Sequence, residues 1–138
     1  MLLVDTNIVG HMLLEGPLAA SARALYARDP DWRTEPLLFV ELTNVLVTAM
    51  RVQQLPLERA QEALDAAHAM LADSLTDTAD ADVLLLAQRH GVSGYDARFL
   101  CAATELRTRL VTEDAALRRK APALTQSLAD ALAAPMAN

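Results

Sequence analysis

Four carboxylates in this 138-residue chain stand where chemistry is most readily arranged. Asp5 closes the apolar run Met1-Leu2-Leu3-Val4, and Glu41 is embedded in LLFVELTNVLV. Asp96 lies two residues after Gly94 at the start of a helical stretch, and Asp114 follows Leu110-Val111-Thr112 closely. In an open parallel sheet, ligands bind beyond the carboxyl ends of the strands, so acids just after strands or at the starts of neighbouring helices are the ones placed to meet a ligand. Asp96 and Asp114 taken singly are also what any helix start favours, because the positive end of the macrodipole attracts negative charge. Asp5 and Glu41 are less easily dismissed. One ends a strand that should be buried and the other sits among apolar residues, where an unpaired carboxylate is costly. A metal ion would compensate both.

Other chemistries find less support. His11, His68 and His90 share no spacing typical of a zinc site and read as surface or capping residues. The single cysteine, Cys101, can make neither an intramolecular disulfide nor a thiolate cage, and it reads as a core thiol. Asp77, Asp80 and Asp82 crowd a helix start and read as acids that complement its dipole. Four glycines supply no phosphate loop. Asn7 stands where a phosphoaspartate enzyme would carry a second acid, and the only lysine, Lys120, lies in the last basic helix, which argues against a receiver-like signalling module.

The elements that must hold the four acids follow from length and pattern. A chain of this size suits one domain, 1–138, and should bury about two-thirds of its unfolded surface. The 53% hydrophobic content is carried largely by 27 alanines and 25 leucines scattered among charges, so the chain reads as a globular domain rich in helix formers. No apolar stretch approaches a membrane span, and Asp5 interrupts the apolar N-terminus before a signal core can form, so a cytoplasmic protein with no membrane partner is expected. The net charge of −6 argues against broad phosphate neutralisation. Acids gathered around a divalent cation, however, inflate the negative count while making a site that attracts phosphate once metal is bound. Arg107, Arg109, Arg118, Arg119 and Lys120 lie close together in sequence, as phosphate contacts or as solvated helix faces.

Met1 to Asp5 reads as a buried strand, with Asp5-Thr6-Asn7 leading into a capped helix. A second helix spans 17–28 and is closed by Asp29-Pro30. A short strand is expected near Trp32 to Thr34, then a helix opened by Pro36 and ending near Gln54, and another from Pro56 to about Ala72, the two forming an antiparallel hairpin. Thr76 to Thr78 are expected to cap a helix that stops at His90-Gly91. Tyr95 to Arg107 should be helical with Phe99, Leu100, Ala103 and Leu106 inward, Leu110 to Thr112 a buried strand, and Asp114 to about Lys120 a short helix. Residues 122–138 are ambiguous between a final helix and a frayed tail. Strands alternating with helices predict an α/β fold with a parallel sheet covered by helices on both faces.

VDTNI, PLLFVELTNVL, GYDARFLCAATEL and RLVTEDAALRRKA together resemble the four signature blocks of PIN domains, spanning residue 1 to about 121. Within that superfamily the short form is similar to VapC-type ribonuclease toxins of toxin–antitoxin pairs. The resemblance implies a three-layer α/β/α sandwich in which Asp5, Glu41, Asp96 and Asp114 hold Mg²⁺ or Mn²⁺, while Thr6 or Asn7 and Thr112 orient the acids or a water. Glu113 stands where the family commonly has a small residue, so it competes with Asp114 for the fourth place. The implied protein is a hydrolase, an endoribonuclease that leaves a 5′-phosphate and a 3′-hydroxyl, dimerises with itself, and is neutralised by a cognate antitoxin. A housekeeping PIN nuclease and a PIN module that binds RNA or protein without cutting are the alternatives.

Overall fold

Four short parallel strands set the architecture: β1 (Leu2–Val4), β2 (Trp32–Arg33), β3 (Leu110–Val111) and β4 (Thr125–Gln126), in the spatial order β2-β1-β3-β4. The computed structural model describes residues 1–135. Leu3, Val4, Leu110 and Val111 are fully buried, as expected of strands covered on both faces, which is why they read as apolar runs without alternation. The registers Leu3 to Leu110 and Val4 to Val111 bring the ends of β1 and β3 level.

Eight helices flank the sheet among the described residues: α1 (Thr6–Leu13), α2 (Ala19–Arg28), α3 (Leu37–Val52), α4 (Leu57–Leu71), α5 (Asp80–His90), α6 (Gly94–Leu106), α7 (Ala115–Lys120) and α8 (Leu128–Ala133). Helix α1 packs on α2 and α3, α3 on α4, α2 on α8, and α5 on α6. The hairpin of α3 and α4 is sealed partly by Phe39, which stacks on His68 with ring centroids 4.1 Å apart. Cys101, Phe99 and Leu100 of α6 join Leu38, Leu42 and Ile8 in one apolar core, while Leu106 is only partly buried at its edge. Local signals place several boundaries. Asp5 accepts the Thr6 N–H, Ser93 Oγ accepts the Asp96 N–H at 3.0 Å, and Gly91 ends α5 with φ +65°, a left-handed conformation that glycine adopts without strain.

One expectation is overturned and one ambiguity is resolved. Helix α5 begins at Asp80 after an uncapped Ala79, and Thr76 to Thr78 do not cap it. Their groups are engaged elsewhere: Thr76 N–H donates to Thr34 O at 2.8 Å beside a Thr34–Leu75 bridge, and Thr78 Oγ1 reaches Glu35. Of the two readings of the C-terminal segment, the described residues hold the final helix, preceded by a short strand that neither reading includes. Thr125–Gln126 pairs with β3 as an edge strand, and Leu128–Ala133 forms α8, whose C-terminal carbonyls of Leu132 and Ala134 accept from the Arg28 guanidinium. A two-residue strand is too short to carry a period, so only pairing reveals it. Residues 136–138 lie outside the described range.

Sequence reasoning also passed over Glu35, which follows the β2 edge and is fully buried. Its carboxylate accepts from Leu37 N–H at 2.5 Å, Arg98 Nε at 2.8 Å and Thr78 Oγ1 at 3.4 Å, tying the start of α3 to α6 and to the segment before α5. Removing one partner leaves the other charge buried and underbonded. Arg98→Met should therefore lower unfolding free energy by about 1–3 kcal/mol, read as a shift in the urea midpoint. An unchanged midpoint would show the pair to be energetically neutral.

Candidate active site

The strand order 2-1-3-4 has its switch point between β1 and β3: the chain leaves β1 toward one edge of the sheet and later builds toward the other. Loops diverge there, opening a crevice at the strands' carboxyl ends. Asp5 follows β1 and Asp114 lies three residues past β3, so both are delivered to that crevice by topology. Glu41 arrives from the second turn of α3 and Asp96 from the first turn of α6. All four acids, with Thr6 and Asn7, line one open cavity of about 520 Å³.

Asp5 is the most constrained of them. Its side chain is 8% exposed, caps α1 by accepting Thr6 N–H at 2.7 Å, and accepts Thr112 Oγ1 at 2.7 Å and Asn7 Nδ2 at 3.3 Å. Thr112 is fully buried behind the cavity, and its hydroxyl also accepts from Asn7 Nδ2 at 3.2 Å and Asp114 N–H at 3.1 Å. Asn7 Oδ1 takes the Glu113 N–H at 3.1 Å. The three residues thus lock the end of β1 to the turn after β3, with Asp5 N–H donating to Val111 O to complete the join. Thr6 faces the other way, and its Oγ1 donates to Glu41 Oε1 at 2.9 Å.

The electrostatics are those of crowded acids. Burial pushes Asp5 up to about 6, against the lowering effect of Thr112 and Thr6, with Glu41 and Asp96 raising it further. Glu41 is also raised, first by burial, with Thr6 opposing, then by Asp96 and Glu35. Burial raises Asp96, as does the charge of Asp114, while Ser93 and Lys120 oppose. Asp114 caps α7 by accepting Leu117 N–H at 3.0 Å through Oδ1 and contributes to the cavity wall. Glu113 turns away. Its Oε1 accepts the Leu128 N–H at the start of α8 at 2.7 Å, and its Oε2 lies 4.0 Å from Arg118. Arg118, one of the clustered basic residues, spends its other contact on Thr112 O at 2.7 Å.

Among the described residues no three His, Cys, Asp or Glu side chains stand close enough to hold a metal ion directly. The acids line the cavity wall without closing on a point. An all-oxygen set of carboxylates nonetheless fits a hard divalent cation, and Mg²⁺ in particular keeps several waters and binds through one or two carboxylates. The buried charge of Asp5, disfavoured first by burial and then by Glu41 and Asp96, is what such a cation would relieve. Leu37, Val40, Asn44, Val45 and Tyr95 complete the lining. Sequence reasoning did not single out Val40, Asn44, Val45 or Tyr95 for the site, although Asn44 is three residues from Glu41 on one helix and Tyr95 directly precedes Asp96.

A parallel α/β sheet with a carboxylate-lined cavity at its switch point defines a class of ligand-binding α/β proteins. Comparison narrows it: residues 2–122 match the PIN domain, and the chain belongs to that family. PIN domains are generally nuclease folds that use divalent metals and bind RNA. The fold is similar to that in the crystal structure of PAE2754 from Pyrobaculum aerophilum, with a TM-score of 0.70 and 22% identity over 95% of this chain and 92% of that one. No curated protein matches the chain.

Asp5 supplies a test of the crowding. Its value in the folded chain lies above the 3.8 of an ordinary aspartate, so the folded state takes up a proton that the unfolded state has released between about pH 4 and pH 6. Metal-free stability attributable to this group is therefore greatest below that window and falls as pH rises through it. Asn in its place keeps a helix cap and removes the charge. In EDTA, Asp5→Asn should be more stable than wild type by on the order of 1–3 kcal/mol above pH 7, with the advantage vanishing toward pH 4. Urea titrations at both pH values read this, and a pH-independent gap would contradict the buried-charge account.

Proposed function

We propose that the chain is a metal-dependent endoribonuclease acting as the toxin of a toxin–antitoxin pair. The observation that carries the nuclease reading is the meeting of Asp5, Glu41, Asp96 and Asp114, from four separate elements, in one cavity at the sheet's switch point. When bound, Mg²⁺ or Mn²⁺ supplies the Lewis acidity that polarises a phosphodiester and activates water. The chain's own residues orient that chemistry: Thr112 and Asn7 hold the Asp5 carboxylate in one rotamer, and Thr6 holds Glu41. Asp114 is the fourth acid of the proposed set, since Glu113 is committed to the N-terminus of α8.

The toxin role is supported by the similarity of the short chain to toxin-type PIN proteins and by apolar surface suited to protein partners. Val47 and Val52 of α3 and Leu57 of α4 are exposed, and β-branched residues on a solvated helix face are poor choices for helix stability alone. We assign this surface to a homodimer. Leu37 and Phe39 of the same helix are partly buried against the core. A cognate antitoxin would block the site, with an arginine in the acidic cavity taking the place of the cation. An antitoxin gene directly upstream separates this role from housekeeping RNA processing.

Protein freed of partners should cleave RNA in Mg²⁺ or Mn²⁺ and be inactive in EDTA, with Asp5→Asn and Asp96→Asn losing most activity. Thr112→Ala should cost about 10–100-fold in metal affinity or rate. Cleavage by Asp96→Asn equal to wild type, with contaminating nuclease removed, would sink the reading. Light scattering at micromolar concentration should give the mass of a dimer, and a monomeric mass would reject that part of the proposal.

A further inference from the structure

The acids of the cavity are framed by groups that a cation site alone does not require. Four of the chain's five aromatic side chains are packed: Phe99 and Trp32 are buried, Tyr26 sits edge-on to Trp32 with centroids 5.2 Å apart, and Phe39 stacks on His68. Tyr95 is 67% exposed, directly precedes Asp96 in the first turn of α6, and lines the same cavity as Val40, Asn44 and the acids. The backbone that presents it is held, since Ser93 accepts the Asp96 N–H. The ring is therefore an exposed aromatic surface, on a held stretch of backbone, at the rim of an acidic cleft.

Charge decides what such a surface is for. With a net charge of −6 and several acids in the cavity, phosphate neutralisation contributes little affinity, and Lys120 is the basic residue whose charge acts on Asp96. Stacking is indifferent to net charge and tolerant of sequence. We propose that Tyr95 is a stacking platform for one unpaired base of RNA, seating the neighbouring phosphodiester against the acids, so that single-stranded segments are bound in preference to duplex. In an A-form duplex the bases are already stacked on one another and cannot offer a face to the ring. The exposed amide of Asn44 on the same lining offers both a donor and an acceptor to a base edge. Tyr95 is here a positioning residue, and its assignment rests on the nuclease reading for the identity of the ligand.

Anisotropy of a fluorescent single-stranded RNA, and of the same strand annealed to its complement, measured with Ca²⁺ in place of Mg²⁺, reads binding apart from turnover. Wild type should bind the single strand more tightly, Tyr95→Ala should lose about fivefold to 100-fold, and Tyr95→Phe, which keeps the ring, should stay within about twofold. In cleavage assays with Mg²⁺ the alanine variant should raise KM more than it lowers kcat. Circular dichroism melts check that each variant is folded, as expected for an exposed side chain. Equal binding of single strand and duplex, unchanged binding by Tyr95→Ala, or no binding of either RNA by wild type overturns the proposal. So does loss of self-association in Tyr95→Ala with RNA binding intact, which would assign the ring to a protein interface. Tyr95-dependent binding without cleavage refutes the nuclease reading and leaves the platform standing, whereas cleavage indifferent to Tyr95 does the reverse.

Discussion

A carboxylate held almost out of water, at the point where a parallel sheet changes direction, constrains everything around it. Asp5 keeps its place because a backbone N–H, the Thr112 hydroxyl and the Asn7 amide converge on it. Those same bonds fasten β1 to the turn after β3, so the groups that tolerate the acid also shape the cleft. Without such partners a buried carboxylate would neutralise or the local structure would open. The fold bears a cost at this position, visible in the raised value of Asp5, as sites built for ligands commonly do.

Glu35 is a second acid treated differently. It is more deeply buried than Asp5, yet it is matched by the Arg98 guanidinium and by the Leu37 amide, so its charge is neutralised within the protein. Among the described residues no cationic side chain is bonded to Asp5, Glu41 or Asp96, and each is raised first by burial and then by neighbouring carboxylates: Asp5 by Glu41 and Asp96, Glu41 by Asp96 and Glu35, Asp96 by Asp114. The contrast separates a structural clamp from a site: where the chain can supply its own countercharge it does, and where it does not, an external cation is the natural complement. Glu113 and Asp114, adjacent in sequence, divide the same way, one serving the N-terminus of α8 and the other lining the cleft.

The mixed lining of the cavity bears on what it admits. An acidic protein that acts on a polyanion must draw affinity from contacts that do not depend on a basic surface. Aliphatic and aromatic groups stand beside the carboxylates of the cavity, and they sit on α3 and α6, the helices that also carry Glu41 and Asp96. Glu41 and Asp96 are therefore held at fixed separations from the lining residues of their own helices.

The parallel α/β class, most helices and the four candidate acids are legible along the chain, because each depends on local pattern: apolar runs for buried strands, helical spacing for α3, α4 and α6, and acids where such elements begin or end. Tertiary structure alone decided the rest. The edge strand Thr125–Gln126 exists only through its pairing with β3, and the threonines before α5 are drawn from capping into contacts with β2 and Glu35. Glu113 and Asp114 part in the fold, Glu113 reaching the N-terminus of α8 while Asp114 caps α7 and lines the cavity, and the contacts of Glu35 depend on a guanidinium 63 residues away in the chain. Spacing along a chain reports which residues share an element. It does not report which charges meet across elements, because that is settled by long-range packing and by the cost of leaving a buried charge without a partner.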